Sequence, residues 1–118
     1  MAYKLIEHAD EMPQYTPPGH AGTANTKLVE SDFCGTFSMA RGVVQPGGEA
    51  EPHHHDREHQ IIYIMGGEAD VTLGENAPVR CRAGSIVRIP PGLRHRVVSL
   101  GPEPLDTLVI YSPPLQAH

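Results

Sequence analysis

Tryptophan is absent from this 118-residue chain, and phenylalanine and cysteine each occur only twice. The core must therefore be built mainly from aliphatic side chains, and a disulfide framework cannot be its main support. Cys34 and Cys81, with no secretion signal ahead of them, read as small buried hydrophobes. No apolar run approaches the roughly 20 residues needed to span a bilayer, so a membrane is not an expected partner. Clustered basic charge is missing too. Nine Lys and Arg against fourteen Asp and Glu leave a net charge of −5, which argues against nucleic acid. The opening MAYKLIEHADEMP carries acids where a secretory signal would be apolar, and a cytoplasmic protein is expected. There is no internal repeat and no linker composition, so residues 1–118 read as one domain.

Chain breakers, by contrast, are abundant. Twelve Gly and twelve Pro leave no room for long helices and suit short strands joined by turns. Residues 1–27 are expected to form an irregular arm, interrupted by Pro13, Pro17, Pro18 and Gly19, and residues 28–114 the barrel. A first strand is expected from Phe33 to Gln45, stopped by Pro46-Gly47-Gly48. Further strands follow at 59–65 (HQIIYIM), 69–73 (ADVTL), 79–82 (VRCR), 85–89 (SIVRI), 96–100 (RVVSL) and 106–111 (DTLVIY). The expected class is all-β, a sandwich or barrel.

Eight residues are histidine, and their placement is informative. His53, His54 and His55 are consecutive, and His95 follows the rigid turn Pro90-Pro91-Gly92. The run is internal, which separates it from a purification tag. On a strand, His53 and His55 face one way and His54 the other, so the pair can chelate one ion if the barrel interior lies on their side. Neutral imidazole suits Zn, Cu, Fe and Ni. In the next strand Gln60, Ile62 and Ile64 share a face, which puts Gln60 into the same interior if the isoleucines are core.

These spacings resemble the cupins. Their first motif is matched by Gly47, five residues, His53-His54-His55, four residues, Gln60, six residues, Gly67. Their second is matched by Gly84, five residues, Pro90-Pro91-Gly92, two residues, His95, three residues, Ser99. The resemblance implies a single jelly-roll barrel with one divalent transition metal ion (Fe, Zn, Ni or Mn) held by His53, His55 and His95, with position 60 as fourth ligand. Gln60 stands where the family usually has Glu, and Ser99 where it has Asn; Ser99 could serve as a hydrogen-bond donor behind a ligand. Three imidazoles and an amide are all neutral, so the site should be a stronger Lewis acid, hold metal less tightly and favour an anionic oxygen ligand. Glu58 and His59 are alternative fourth ligands, although strand parity turns His59 away.

Two other residues are candidates for chemistry. His20, in the arm, could reach a pocket as an acid or base, or lie on a surface loop. Arg41, within an apolar segment, could bind a substrate carboxylate or point to solvent. Tyr63, on the face opposite Gln60, reads as core or interface packing, Met39 and Met65 as packing residues, and His54, Arg57 and His59 as exposed. No GxSxG, phosphate-cradling Gly loop or CxxC is present, so any chemistry rests on the metal. The expected function is a metal-dependent enzyme acting on a small oxygen-bearing molecule. It would use non-redox Lewis-acid chemistry (isomerase, cyclase, lyase or decarboxylase) or, with iron, dioxygenase chemistry. A metal-dependent binding or sensor protein is the alternative. A homodimer is expected, because an open barrel leaves sheet edges to be covered.

Overall fold

The computed structural model describes residues 3–17 and 19–115, and of residues 51–53 the backbone only. In chain order the strands are β1 (Gln14–Tyr15), β2 (His20–Val29), β3 (Ser38–His53), β4 (His59–Gly66), β5 (Glu68–Leu73), β6 (Val79–Arg82), β7 (Ile86–Ile89), β8 (His95–Ser99) and β9 (Leu105–Ser112). They form one nine-stranded sheet, ordered β6-β5-β8-β3-β9-β4-β7, with β2 added on β3 and β1 on β2. The sheet curls on itself as a jelly roll, so its inward faces meet in one core. All the pairings are antiparallel.

Alternation places that core. Along β4, Gln60, Ile62 and Ile64 are buried, while His59, Tyr63 and Met65 are exposed, so the expected parity is observed. Ile62 and Ile64 pack with Val44, Ala69, Val71, Val87, Ile89 and Leu105. Each large aliphatic side chain so placed contributes about 1.5–3 kcal/mol. No helix among the described residues is long and apolar enough to cross a membrane.

The strands expected from residue 59 onward are all present, within a residue or so of the expected ends. The first part of the chain differs. The irregular arm is shorter than residues 1–27, because Gln14–Tyr15 and the ten residues His20–Val29 join the sheet. Ala21, Ala24, Asn25 and Lys27 are poor strand formers alone; pairing with β3 along nearly the whole of β2 supplies the order. Phe33 does not begin a strand, since Ser31–Cys34 is one helical turn closed by Gly35 in the left-handed conformation. Nor does Pro46-Gly47-Gly48 end β3. The strand continues to His53, and this segment is where it changes partner: Ser38–Val44 pairs with β9, whereas Glu49, Ala50 and His53 pair with β8. Gly48 permits this because a Cβ there would lie 2.5 Å from the Ala21 carbonyl oxygen of β2.

Two packing expectations, for Cys34 and Met65, are corrected. Cys34 is exposed, and a hydrogen bond with the Thr36 hydroxyl (3.2 Å) holds its thiol pKa below the ordinary value. Tyr63 and Met65 are exposed on the outer face of the sheet. Cys81, Met39 and the face of β6 toward β5 remain partly buried.

Gly67 combines a positive φ with close packing: its φ is 79°, and a Cβ would stand 2.5 Å from the Pro104 carbonyl oxygen and 2.9 Å from Leu105 Cα. Neither backbone atom can move away cheaply. Gly67→Ala is expected to cost about 2–4 kcal/mol in urea unfolding, combining left-handed strain with a clash. Gly84→Ala, with φ 92° but nothing within 4 Å, is expected to cost only about 1 kcal/mol. Equal losses would contradict this packing.

Candidate metal centre

The two histidine segments meet at one end of the barrel through backbone bonds. His53 on β3 is paired in register with His95 on β8. The turn after Pro90 is tied to the first segment by the Gly92 N–H, which donates to the His55 carbonyl oxygen at 2.7 Å. Gln60 enters from the far side, where it is paired with Tyr111 of β9 and Ile89 of β7. Residue 95, distant in sequence, thus shares one end of the fold with residues 53, 55 and 60.

His95 is 2% exposed. Its Nδ1–H donates to the Leu93 carbonyl oxygen at 3.0 Å, which fixes the ring and leaves Nε2 as the lone-pair nitrogen. His55 lies just beyond the end of β3, its ring centroid 5.6 Å from that of His95. The Nε2 atoms of both rings are buried. Gln60 is 6% exposed, and its Oε1 is buried with no hydrogen-bond partner among the described residues. The side chain of His53 lies outside the described residues. Among the described residues no group of three His, Cys, Asp or Glu side chains converges; the rings of His55 and His95 are neighbours, and Gln60 lines a cavity together with His95.

A cavity of about 60 Å³ opens beside them, lined by Gln60 and His95, by Val44, Ile62 and Leu105, and by residues the sequence reading passed over. Asn25, Gly42 and Thr107 are among these, as is Tyr111, whose ring stands edge-on to His55 at 5.4 Å. Burial, with a lesser contribution from the nearby Tyr15 and Glu58 charges, pushes the Tyr111 phenol well above its usual range, so it stays protonated. Alternation from Leu105 along β9 (105, 107, 109, 111) was the available signal for Thr107 and Tyr111. No signal identified Asn25, because β2 itself was not legible.

His20 also lines the cavity, with Nδ1 3.4 Å from the Thr23 hydroxyl, so it reaches the pocket of its own chain. Arg41 does not belong to this cluster. Ala40, Gly42 and Val44 face inward, which turns Arg41 outward, where it makes two hydrogen bonds to Asp106 at 2.9 and 3.0 Å. Its expected role on a substrate carboxylate is therefore replaced by a partly exposed ion pair. His59 is exposed, as parity requires, whereas Glu58 is buried; it is Gln60 that lines the cavity. Ser99 is buried and donates to the Val44 carbonyl oxygen at 3.2 Å, securing the strand junction. His54 is exposed and lies 3.2 Å from Asp56.

The cupin-domain profile matches residues 40–111, more than half of the chain. The chain belongs to the cupin family. Among related sequences, an uncharacterized protein of Methanocaldococcus jannaschii is 27% identical over 90 residues, 76% of this chain and 78% of that one. Among solved structures, a predicted oxalate decarboxylase from Thermotoga maritima superimposes with a TM-score of 0.82 at 21% identity, covering 92% of this chain and 98% of that one. The polyketide cyclase RemF from Streptomyces resistomycificus gives 0.80 at 24% identity, covering 93% and 80%. At these identities the two structures establish the cupin fold.

Removing the ion pair checks the placement of Arg41. Arg41→Ala is expected to cost at most about 1 kcal/mol of stability in urea unfolding, as exposed pairs do. A loss of several kcal/mol would contradict a partly exposed pair.

Proposed function

We propose that this cupin holds one divalent transition metal ion through His53, His55, Gln60 and His95 and acts on a small, oxygen-bearing organic molecule by non-redox Lewis-acid chemistry. The observation that carries this reading is Gln60 Oε1. A buried carbonyl oxygen without a partner costs about 1–3 kcal/mol, and here it lies on the cavity wall shared with His95. Two buried imidazoles and an amide oxygen fit a borderline first-row ion.

A divalent ion bound there supplies Lewis acidity toward a carbonyl, carboxylate or enol oxygen, its charge not offset because all four donors are neutral. The chain's own residues do the rest. Leu93 holds His95 in the tautomer that offers Nε2 to the interior, and Tyr111 packs against His55 to limit its rotation. Val44, Ile62, Leu105 and Val109 keep the cavity largely apolar and water-poor. His20, the one imidazole brought to the cavity by β2, is suited to take up or return a proton on the bound molecule.

Metal content of tag-free protein, measured by plasma mass spectrometry, tests this. Near one equivalent of metal is expected, lost in His95→Ala and held more tightly in Gln60→Glu, whose carboxylate adds charge to the donor set. Iron as the native metal would redirect the reading to oxygen consumption, and binding without turnover of carbonyl compounds would make the protein a sensor. Protein that arrives metal-free and takes up none overturns the proposal.

The free thiols of Cys34 and Cys81 suit a reducing, cytoplasmic setting. A second copy of the chain is proposed as the partner, covering the outer face where Tyr63 and Ile86 stand opposite each other, 42% and 45% exposed, beside the edge strand β7. Light scattering at micromolar concentration should give twice the chain mass, falling to one chain in a Tyr63→Lys, Ile86→Lys double variant. A monomeric native protein rules the dimer out.

A further inference from the structure

Asn25, Gly42 and Thr107 stand side by side across three strands: Asn25 is paired in register with Gly42, and Gly42 with Thr107. All three line the cavity that contains Gln60 and His95. Gly42 is the gap in this row. A Cβ there would lie 2.9 Å from Asn25 Oδ1 and 3.0 Å from Thr107 Oγ1, so the space above it is flanked by two oxygens. Both present lone pairs. The Thr107 hydroxyl proton is committed to the Gly42 carbonyl oxygen at 2.9 Å. Asn25 Oδ1 is buried and has no hydrogen-bond partner among the described residues.

We propose that Asn25, Gly42 and Thr107 form a subsite that accepts a hydrogen bond from a ligand hydroxyl, so that the molecule bound in the barrel is a small hydroxy acid or hydroxycarbonyl compound. This rests on the metal reading above for the ligand's other end, the carboxylate or carbonyl oxygen near Gln60 and His95. A hydroxyl fits better than an ammonium, because among the described residues no Asp, Glu, Lys or Arg lines the cavity to pair with a buried cation. The apolar walls formed by Val44, Ile62 and Leu105 suit a short carbon chain between the two polar ends, and about 60 Å³ admits only a few heavy atoms. Asn25 lies ahead of residues 40–111, the part matched by the cupin profile, so the profile match does not include the strand that supplies it.

The test compares two acids that differ by one hydroxyl, 3-hydroxypropionate and propionate. Each is titrated calorimetrically into metal-free and Zn2+-loaded protein, native and Asn25→Ala, with folding of the variant verified from its amide NMR spectrum. Native protein should bind 3-hydroxypropionate at least about fivefold more tightly than propionate, the loss expected when a buried acceptor is left unmatched. Asn25→Ala should bring the two acids to within about twofold. In a 15N-labelled sample, 3-hydroxypropionate but not propionate should shift the Asn25 side-chain amide signals. Equal binding of the two acids by native protein overturns the subsite while leaving the metal reading intact, and so does a preference that survives in Asn25→Ala. An Asn25-dependent preference that needs no metal upholds the subsite and removes the metal anchor. Binding of neither acid, with or without metal, overturns the subsite.

Discussion

One strand, β3, determines the geometry of everything else. It runs sixteen residues from Ser38 to His53 and changes its neighbour at Pro46-Gly47-Gly48, from β9 on one side of the bend to β8 on the other. A flat strand could not serve both. Gly47, with φ 82°, and the close approach of Gly48 to the Ala21 carbonyl oxygen make the bend possible, and Ser99 fastens it by donating to the Val44 carbonyl. Beyond the bend His53 lies opposite His95; before it, Gly42 lies between Asn25 and Thr107. The candidate metal end and the polar wall of the cavity are therefore two stretches of one strand, held at a set distance by its backbone.

The electrostatic character of the interior follows from what faces inward. Gln60, Asn25, Thr23 and Thr107 are neutral, and the charged residues near them are turned outward: Arg41 lies on Asp106, and Arg96 on Glu49 at 2.6 Å. In a low-dielectric cavity a single uncompensated charge dominates, so a wall of neutral dipoles leaves the field to whatever cation or anion enters. A carboxylate at position 60 would take up part of a metal's charge, whereas the amide does not. The high pKa of Tyr111 belongs to the same picture: burial keeps the phenol protonated, so no competing anion forms beside His55.

Strand after strand from residue 59 onward was legible because each is a short alternating or apolar run bounded by Gly and Pro, and alternation put Gln60, Ile62 and Ile64 on one face, which the structure buries. The same rule failed for β2. Ala, Asn and Lys are spread along it without a strong period, and the strand is held by its neighbour more than by its own preferences. Arg41 was ambiguous because its strand partner Asp106 lies 65 residues away, and a one-residue choice of face decides between substrate and ion pair. Cys34 was misread because cysteine is buried on average, while its helical turn at Ser31–Cys34 has no buried residue.

The sequence by itself determined the class, the family and the candidate ligands. Turn residues at short intervals exclude long helices, and His-x-His, Gln and His at family spacing are a local chemical pattern that needs no coordinates to be seen. Tertiary structure decided which residues share the interior: that Asn25 and His20 reach it from β2, that Gly42 stands between two oxygens, and that Arg41 faces away. The physical reason is register. Alternation tells which residues of one strand lie together, but only the hydrogen-bonded pairing of strands far apart in the chain tells which strands they meet.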